Sequence, residues 1–246
     1  MRRFLAVEAE GGMLAIRGAD ARHISRVLRK FPGDAMEVAL DDGSAASCRI
    51  VSADESEVLL EMQGAARHGI EAGRTVSLIQ CLPKGQKMDF IIEKCTELGF
   101  SVFYPAVSER CITREVSESK AARWQKLAHE AAKQSGRTRI PVVSDLVSLN
   151  DALEDAKRRD ALVLFFWEGE VANGLRALED RIRDAREICV VIGPEGGFSS
   201  QEADCAVSFG AVPVSLGPRV LRTETAPVAA GSAVMYIAGE LGPPVV

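Results

Sequence analysis

The apolar positions of this chain change rhythm near residue 74. Before it they come in short runs separated by turn residues. Residues 2–7 and 14–17 flank Gly11-Gly12 and read as a hairpin. Asp20 is placed to cap a helix running to about Lys30, whose apolar positions Ile24, Val27, Leu28 and Phe31 follow the i, i+3, i+4, i+7 spacing of a packed face. Runs at 35–40, 46–52 and 58–62, with a turn at Asp41-Asp42-Gly43, complete a pattern that predicts a small β-barrel. The small and polar stretch 64–73 reads as a linker.

Beyond it, strands and helices alternate. Strands are predicted at 76–82, 102–106, 161–167, 188–192 and 212–216, and helices at 86–98, 121–135, 200–209 and 224–241. The runs 161–167 and 188–192 are continuously apolar, as in strands covered on both faces. The alternation predicts an α/β domain with a parallel sheet. At ~150 residues per domain, the length allows one or two domains.

Composition and charge refine this picture. The chain of 246 residues is 47% apolar, enough for a packed core. No run approaches the ~18 apolar residues of a membrane helix, and the first residues lack the apolar region of a secretion signal, so a cytoplasmic protein without membrane contact is expected. Cys48, Cys81, Cys95, Cys111, Cys189 and Cys205 include no C-x-x-C pair and read as free thiols. The three histidines lack metal-ligand spacing, so no metal is expected. A net charge of −5 speaks against a nucleic-acid partner until it is resolved by segment. Residues 1–33 carry +4 and 74–140 carry +5, whereas 34–73 and 141–246 carry −7 each. A basic face on an acidic protein is compatible with that distribution.

Four segments carry candidate chemistry. Val-Val-Ile-Gly-Pro-Glu-Gly-Gly-Phe-Ser at 190–199 is a buried strand, a glycine-rich loop and a helix start. Ligands of open α/β sheets bind at such strand ends; a plain β–α turn is the competing reading. It is neither a Walker loop nor a dinucleotide fingerprint, which argues against a nicotinamide-dependent oxidoreductase. Leu-Gly-Pro-Arg-Val-Leu-Arg-Thr-Glu-Thr-Ala at 216–226 again joins a strand to a helix, with Thr223 and Glu224 suited to the first helical turn. Arg219 and Arg222 there suit an anionic ligand or a phosphate, or form a surface pair with a Glu. Lys84 and Lys87 mark a third strand-to-helix junction, followed by the basic, turn-like segments around Arg110 and Arg137, where Gly136 fits a helix C-cap. The fourth is a basic helical face of Arg22, His23, Arg26, Arg29 and Lys30, with Arg2 and Arg3 close in sequence. It suits a nucleic-acid backbone or is a solvated surface.

Taken in order, Gly-Pro-Glu-Gly-Gly-Phe at 193–198, Leu-Gly-x-Arg-Val-Leu-Arg-Thr-Glu-Thr-Ala at 216–226, Lys-Met-Asp…Lys-Cys-Thr-Glu-Leu-Gly at 87–99, Ser-Glu-Arg-Cys at 108–111, Gln-Ser-Gly-Arg at 134–137 and His23-Ile24…Val27-Leu28-Arg29 resemble one family over essentially the whole chain. It is the bacterial 16S ribosomal RNA (uracil-N3)-methyltransferases, the small-subunit methyltransferase E family of the SPOUT superfamily. The resemblance implies an N-terminal PUA-like β-barrel at 1–70 that holds RNA. It implies a trefoil-knotted α/β methyltransferase domain at 74–246, S-adenosylmethionine as cofactor, a homodimer, and 16S ribosomal RNA of the small subunit as substrate.

By the same resemblance three loops line the cofactor. The first brings Phe166, Trp167 and Glu168, the loosest match. The second brings Ile192, Gly193, Pro194, Glu195, Gly196 and Gly197. The third brings Leu216, Gly217, Arg219, Val220 and Leu221, then Arg222, Thr223, Thr225 and Ala226. Arg222 and Arg219 are the expected donors to the negative charge that spreads over uracil O2 and O4. Glu224 is the candidate base or polar cofactor contact, with a helix cap as its competing role. Arg2, Arg3, Arg22, His23, Arg26, Arg29, Lys84, Lys87, Arg110 and Arg137 are the expected RNA contacts. Methylation of another RNA atom, such as a ribose 2′-hydroxyl or guanine N1, and a non-catalytic RNA-binding assembly factor remain open alternatives.

Overall fold

A computed structural model describes residues 4–9, 12–40, 44–64, 67–68, 71, 73–170 and 173–241. The expected hairpin turn at Gly11, the turn at 41–43, much of the 64–73 linker, and Arg2 and Arg3 lie outside them. The chain divides into two compact units: Met1–Glu71 with Ala132–Ile140, and Ala72–Ala131 with Pro141–Val246.

In the first unit the strands are β1 (Phe4–Leu5), β2 (Val7–Glu8), β3 (Leu14–Arg17), β4 (Ala35–Ala39), β5 (Ser44–Ala53), β6 (Glu57–Met62) and β7 (Arg67–His68). Their order is β1-β4-β5-β6-β3-β2, with β7 beside β5. Only Ala6 separates β1 from β2, so one segment supplies both ends of the order, and Ala6 N–H continues the ladder by donating to Ala39 O (2.9 Å). Along β5 the buried Ala46, Cys48 and Ile50 alternate with exposed Ser47, Arg49 and Val51, the period of a half-buried strand. They meet Phe4, Ile16, Val38 and Leu60 in one core.

The expected helix 20–30 is shorter. It consists of α1 (Ala19–Arg22) and a π-helical turn, His23–Val27, with no side-chain cap at Gly18. Asp20 lies in the first turn and ion-pairs with the buried Lys133 (2.6 Å). Widening into a π turn breaks the helical phase, so of the expected apolar face only Ile24 is buried, and Val27, Leu28 and Phe31 are exposed. Glu71 sits in a comparable clasp. It accepts from Arg137 Nη2 and from the Thr138 and Arg139 backbone N–H groups (2.7, 2.7 and 2.8 Å). Burial alone would raise its pKa, but these bonds and the Arg137 charge hold it below the ordinary carboxylate value.

The second unit comprises β8 (Thr75–Cys81), α2 (Lys87–Glu97), β9 (Val102–Val107), the first part of α3 (Glu118–Ser135), β10 (Val142–Val143), β11 (Val147–Ser148), α4 (Leu149–Arg158), β12 (Leu162–Phe166), a 3₁₀ turn at Leu175–Leu178, α5 (Glu179–Asp184), β13 (Glu187–Ile192), α6 (Ser200–Ser208), β14 (Val212–Val214) and α7 (Ala226–Ile237). Its sheet runs β10-β9-β8-β13-β12-β14 with β11 beside β9, and every pairing is parallel. The continuous apolar run of β13 is buried from Ile188 to Ile192, as expected of a central strand. From β12 the chain steps to β13 on one side and then to β14 on the other. Such a reversal opens a crevice at the carboxyl ends of the strands. Helix α4 lies where no element is expected from the sequence, although its buried Leu149, Ala152, Leu153 and Ala156 carry the helical period.

Helix α7 packs on α2 and on β13. It begins at Ala226, two residues later than expected, with Thr225 at the cap position, Pro227 in the first turn and no side-chain cap. Gly231 sets its approach, because a Cβ there would lie 2.5 Å from Cε2 of the fully buried Phe100. Gly231→Ala is therefore expected to lower the unfolding free energy by about 1–3 kcal/mol through overpacking, despite the ~1 kcal/mol better helix propensity of Ala. Urea denaturation checks this, and an unchanged or higher midpoint contradicts the close approach.

Candidate active site

Three segments meet at the carboxyl edge of the second sheet: the end of β12, the loop after β13 and the loop after β14. They enclose a cavity of about 820 Å³, within the ~300–1,000 Å³ range of small-molecule sites.

The loop 193–199 is fixed from both ends. Ser199 and Glu202 form a reciprocal capping box that starts α6. Ser199 Oγ also donates to Glu109 Oε2 (2.8 Å), and Arg110 Nη1 to Gly196 O (2.9 Å). Phe198 turns inward onto Phe165 with ring centroids 4.3 Å apart. Gly197 has φ +64°, and a side chain there would run into the Glu168 carboxylate.

The loop after β14 is fastened to it by Thr223. The Thr223 hydroxyl, buried, donates to Gly193 O (2.7 Å) and accepts from Gln80 Nε2 (3.2 Å). Gln80, fully buried at the end of β8, also donates to Cys81 O and Gly193 O. Its Oε1 has no partner among the described residues. Thr223 thus joins two loops instead of capping α7.

The electrostatics have two parts. Lys87 Nζ lies 2.8 Å from Glu195 Oε1 and 3.2 Å from Glu224 Oε2, the latter an ion pair without hydrogen-bond geometry. Lys84 N–H donates to Glu195 as well (3.1 Å). The hydrogen bond to Glu195 raises the Lys87 pKa. For Glu195, burial pushes upward but Lys87 and the backbone donors prevail and lower it. Arg219 and Arg222, by contrast, are exposed on the cavity wall and have no carboxylate partner among the described residues. Glu224 is held by Lys87, so the alternative of a surface Arg–Glu pair does not arise.

A family model described as an RNA methyltransferase domain matches residues 71–235. Ribosomal RNA small subunit methyltransferase E of Bacillus subtilis (strain 168) is 33% identical over 234 residues, covering 92% of this chain and 91% of its own. The protein of that name from Aquifex aeolicus (strain VF5) is 29% identical, covering 96% and 99%. The chain belongs to the ribosomal RNA small subunit methyltransferase E family. The crystal structure of the Neisseria gonorrhoeae member, bound to S-adenosyl methionine, superimposes with a TM-score of 0.78 at 31% identity over 96% of this chain and 98% of that one.

In this member of the family the cavity wall gathers residues from all three loops named in the sequence, among them Trp167, Gly193, Glu195, Leu221 and Arg222. Gly196, Glu224 and Thr225 stand off the wall. Lys87, read as an RNA contact, is on it. Phe198 and Pro218, inside the loops 193–198 and 216–226, line it too, as do Glu170, Val214 and Ser215, which were not singled out. Nor was Gln80, whose signal is a large amide in a strand that is buried from Val76 to Cys81. Of the expected RNA contacts, Arg22 and Arg26 pair with Glu55, while Arg29 is exposed without a carboxylate partner among the described residues. His23 is half-buried against Phe4. Lys84 and Arg110 are exposed, but Arg137 is buried and committed to Glu71.

Among the described residues no cluster of three metal-binding side chains forms. Thr223→Val removes the hydroxyl while keeping the shape, and is expected to cost about 1–2 kcal/mol because buried groups lose a partner. Thermal or urea unfolding measures it, and a stability equal to wild type contradicts the fastening role.

Proposed function

We propose that this chain transfers a methyl group from S-adenosylmethionine to N3 of a uridine in 16S ribosomal RNA, in the assembled small subunit. The observation that carries the reading is the cavity at the strand ends with two arginines on its wall that have no carboxylate partner among the described residues.

The residues present fit the cofactor. Phe166, Trp167, Ile192 and Leu221 offer apolar surface to an adenine ring, and the Gly193–Gly197 backbone allows close approach of polar groups. The orphaned Gln80 Oε1 is an acceptor at the foot of the same loops. When bound, S-adenosylmethionine supplies a methyl made electrophilic by its sulfonium.

The protein must orient uracil N3 toward that methyl and stabilise the negative charge left on O2 and O4 once the N3 proton has passed to solvent water. Arg219 and Arg222 suit this as donors already in place, with no carboxylate among the described residues paired to them. Glu224, expected as a base or a polar cofactor contact, stands off the cavity wall and is paired with Lys87, so its part here is to position Lys87.

The chain after β14 runs from the sheet edge back over the strand ends to Gly193 and Gln80, then descends as α7 onto β13 and α2. This path supports the trefoil knot of the SPOUT fold, and the closed strand order of the first unit supports a PUA-like barrel that holds RNA. The same reading makes the protein a cytoplasmic homodimer. Tyr236 on α7 (72% exposed) offers apolar surface for a second copy, and no described helix is long and apolar enough to cross a membrane.

The test is methyl transfer to small-subunit particles lacking their natural methylation, followed by nucleoside mass spectrometry. N3-methyluridine is the expected product; a 2′-O-methyl nucleoside or 1-methylguanosine overturns the target. Arg222→Ala is expected to lower turnover about a hundredfold with cofactor affinity kept within a few-fold, and undiminished turnover removes Arg222 from the mechanism.

A further inference from the structure

The three apolar residues that the π-helical turn leaves uncovered form a small surface of their own. Val27 is 65% exposed, Leu28 45% and Phe31 67%. Single exposed apolar side chains are ordinary, but three within one turn mark a contact surface.

The backbone holds this turn firmly. Leu28 N–H donates to His23 O (3.0 Å) and Lys30 N–H to Ile24 O (3.1 Å). Phe31 N–H donates to Asp34 Oδ2 (3.0 Å), and Asp34 N–H returns to Phe31 O (3.1 Å). Gly33 N–H to Ile50 O (2.8 Å) and Ile50 N–H to Asp34 O (2.9 Å) tie the turn to β5. Phe31 is therefore presented to solvent on a braced backbone, which lowers the entropy lost when it binds.

The charges around it select the partner. Two of the four cations around this turn, Arg22 and Arg26, are paired among the described residues. Glu55 holds Arg22 and Arg26, and the recorded Asp34 side-chain bond is to Phe31 N–H. Arg29 has no carboxylate partner among the described residues, and the recorded bond of the Lys30 ammonium is to a backbone carbonyl, Ala35 O (3.3 Å). An exposed aromatic ring directly after two cations that have no carboxylate partner among the described residues matches a single nucleic-acid strand, whose bases stack on rings while its phosphates meet cations.

We propose that Phe31, with Val27 and Leu28 beside it, is a stacking platform for an unpaired base of the RNA substrate, and that Arg29 and Lys30 hold the flanking phosphates. The inference rests on the RNA-methyltransferase reading and adds to it the kind of RNA recognised: single-stranded at this surface, since a base inside a duplex cannot stack on Phe31.

The test measures binding of the full-length protein to a short single-stranded RNA and to the same sequence as a duplex, across a range of salt. Phe31→Ala is expected to weaken single-strand binding about tenfold and to leave duplex binding, S-adenosylmethionine affinity and sedimentation unchanged. Phe31→Tyr restores the affinity. Arg29→Ala reduces the slope of log K against log salt by about 0.7, whereas Phe31→Ala does not alter it. Unchanged single-strand binding by Phe31→Ala, with methyl transfer intact, overturns this proposal alone. A change in oligomeric state on Phe31→Ala overturns it in favour of a protein interface. A wild-type protein that binds S-adenosylmethionine but no RNA overturns the parent reading and this one with it.

Discussion

The buried hydroxyl of Thr223 holds together the loops at the carboxyl ends of the second sheet. Donating to Gly193 O and accepting from Gln80 Nε2, it joins β8, the loop after β13 and the loop after β14 at one point. Away from water, each such group costs ~1–3 kcal/mol if left without a partner, so the loops are specified by polar satisfaction as well as by packing. The remaining supports extend from this point. Phe198 lies on Phe165, the Ser199–Glu202 box starts α6, and Gly231 lets α7 close on Phe100. The cavity is the space these fixed loops leave open.

Around that frame the charges are sorted by role. The Lys87 ammonium is committed to Glu195 and Glu224, and the Arg110 guanidinium to a backbone carbonyl of the glycine loop. Arg219 and Arg222 have no carboxylate partner among the described residues, which leaves their charge available to a ligand. In the first unit, Lys133 and Arg137 are buried and satisfied by Asp20 and Glu71, while Arg29 stays exposed. The basic surplus of 74–140 is thus partly structural, and its segment sum overstates what an RNA can reach.

Much of the fold is legible along the chain where a local rule dominates. The five-residue buried run of β13 and the capping residues of α6 are local signals, and both elements lie where the pattern puts them. The cavity residues were legible for a different reason, since their motif spacing resembles a known family. Readings departed from the structure where a distant partner overrides a local preference. Thr223 has the chemistry of a helix cap, but its bond goes to a carbonyl thirty residues away. Val27, Leu28 and Phe31 have the spacing of a buried face, yet the helix ends in a π turn at Val27 before that face is completed, and all three are exposed. Helix α4 was missed because half of its buried face is alanine, a weak apolar signal.

The central claim is that the loops 193–198 and 216–226 form a cofactor site fastened through Thr223. Amide hydrogen exchange, followed with and without S-adenosylmethionine, tests it most directly. The account predicts slowed exchange in both loops and at the end of β12, with the strands of the first unit unaffected. Protection elsewhere, with these loops exchanging as before, would contradict it.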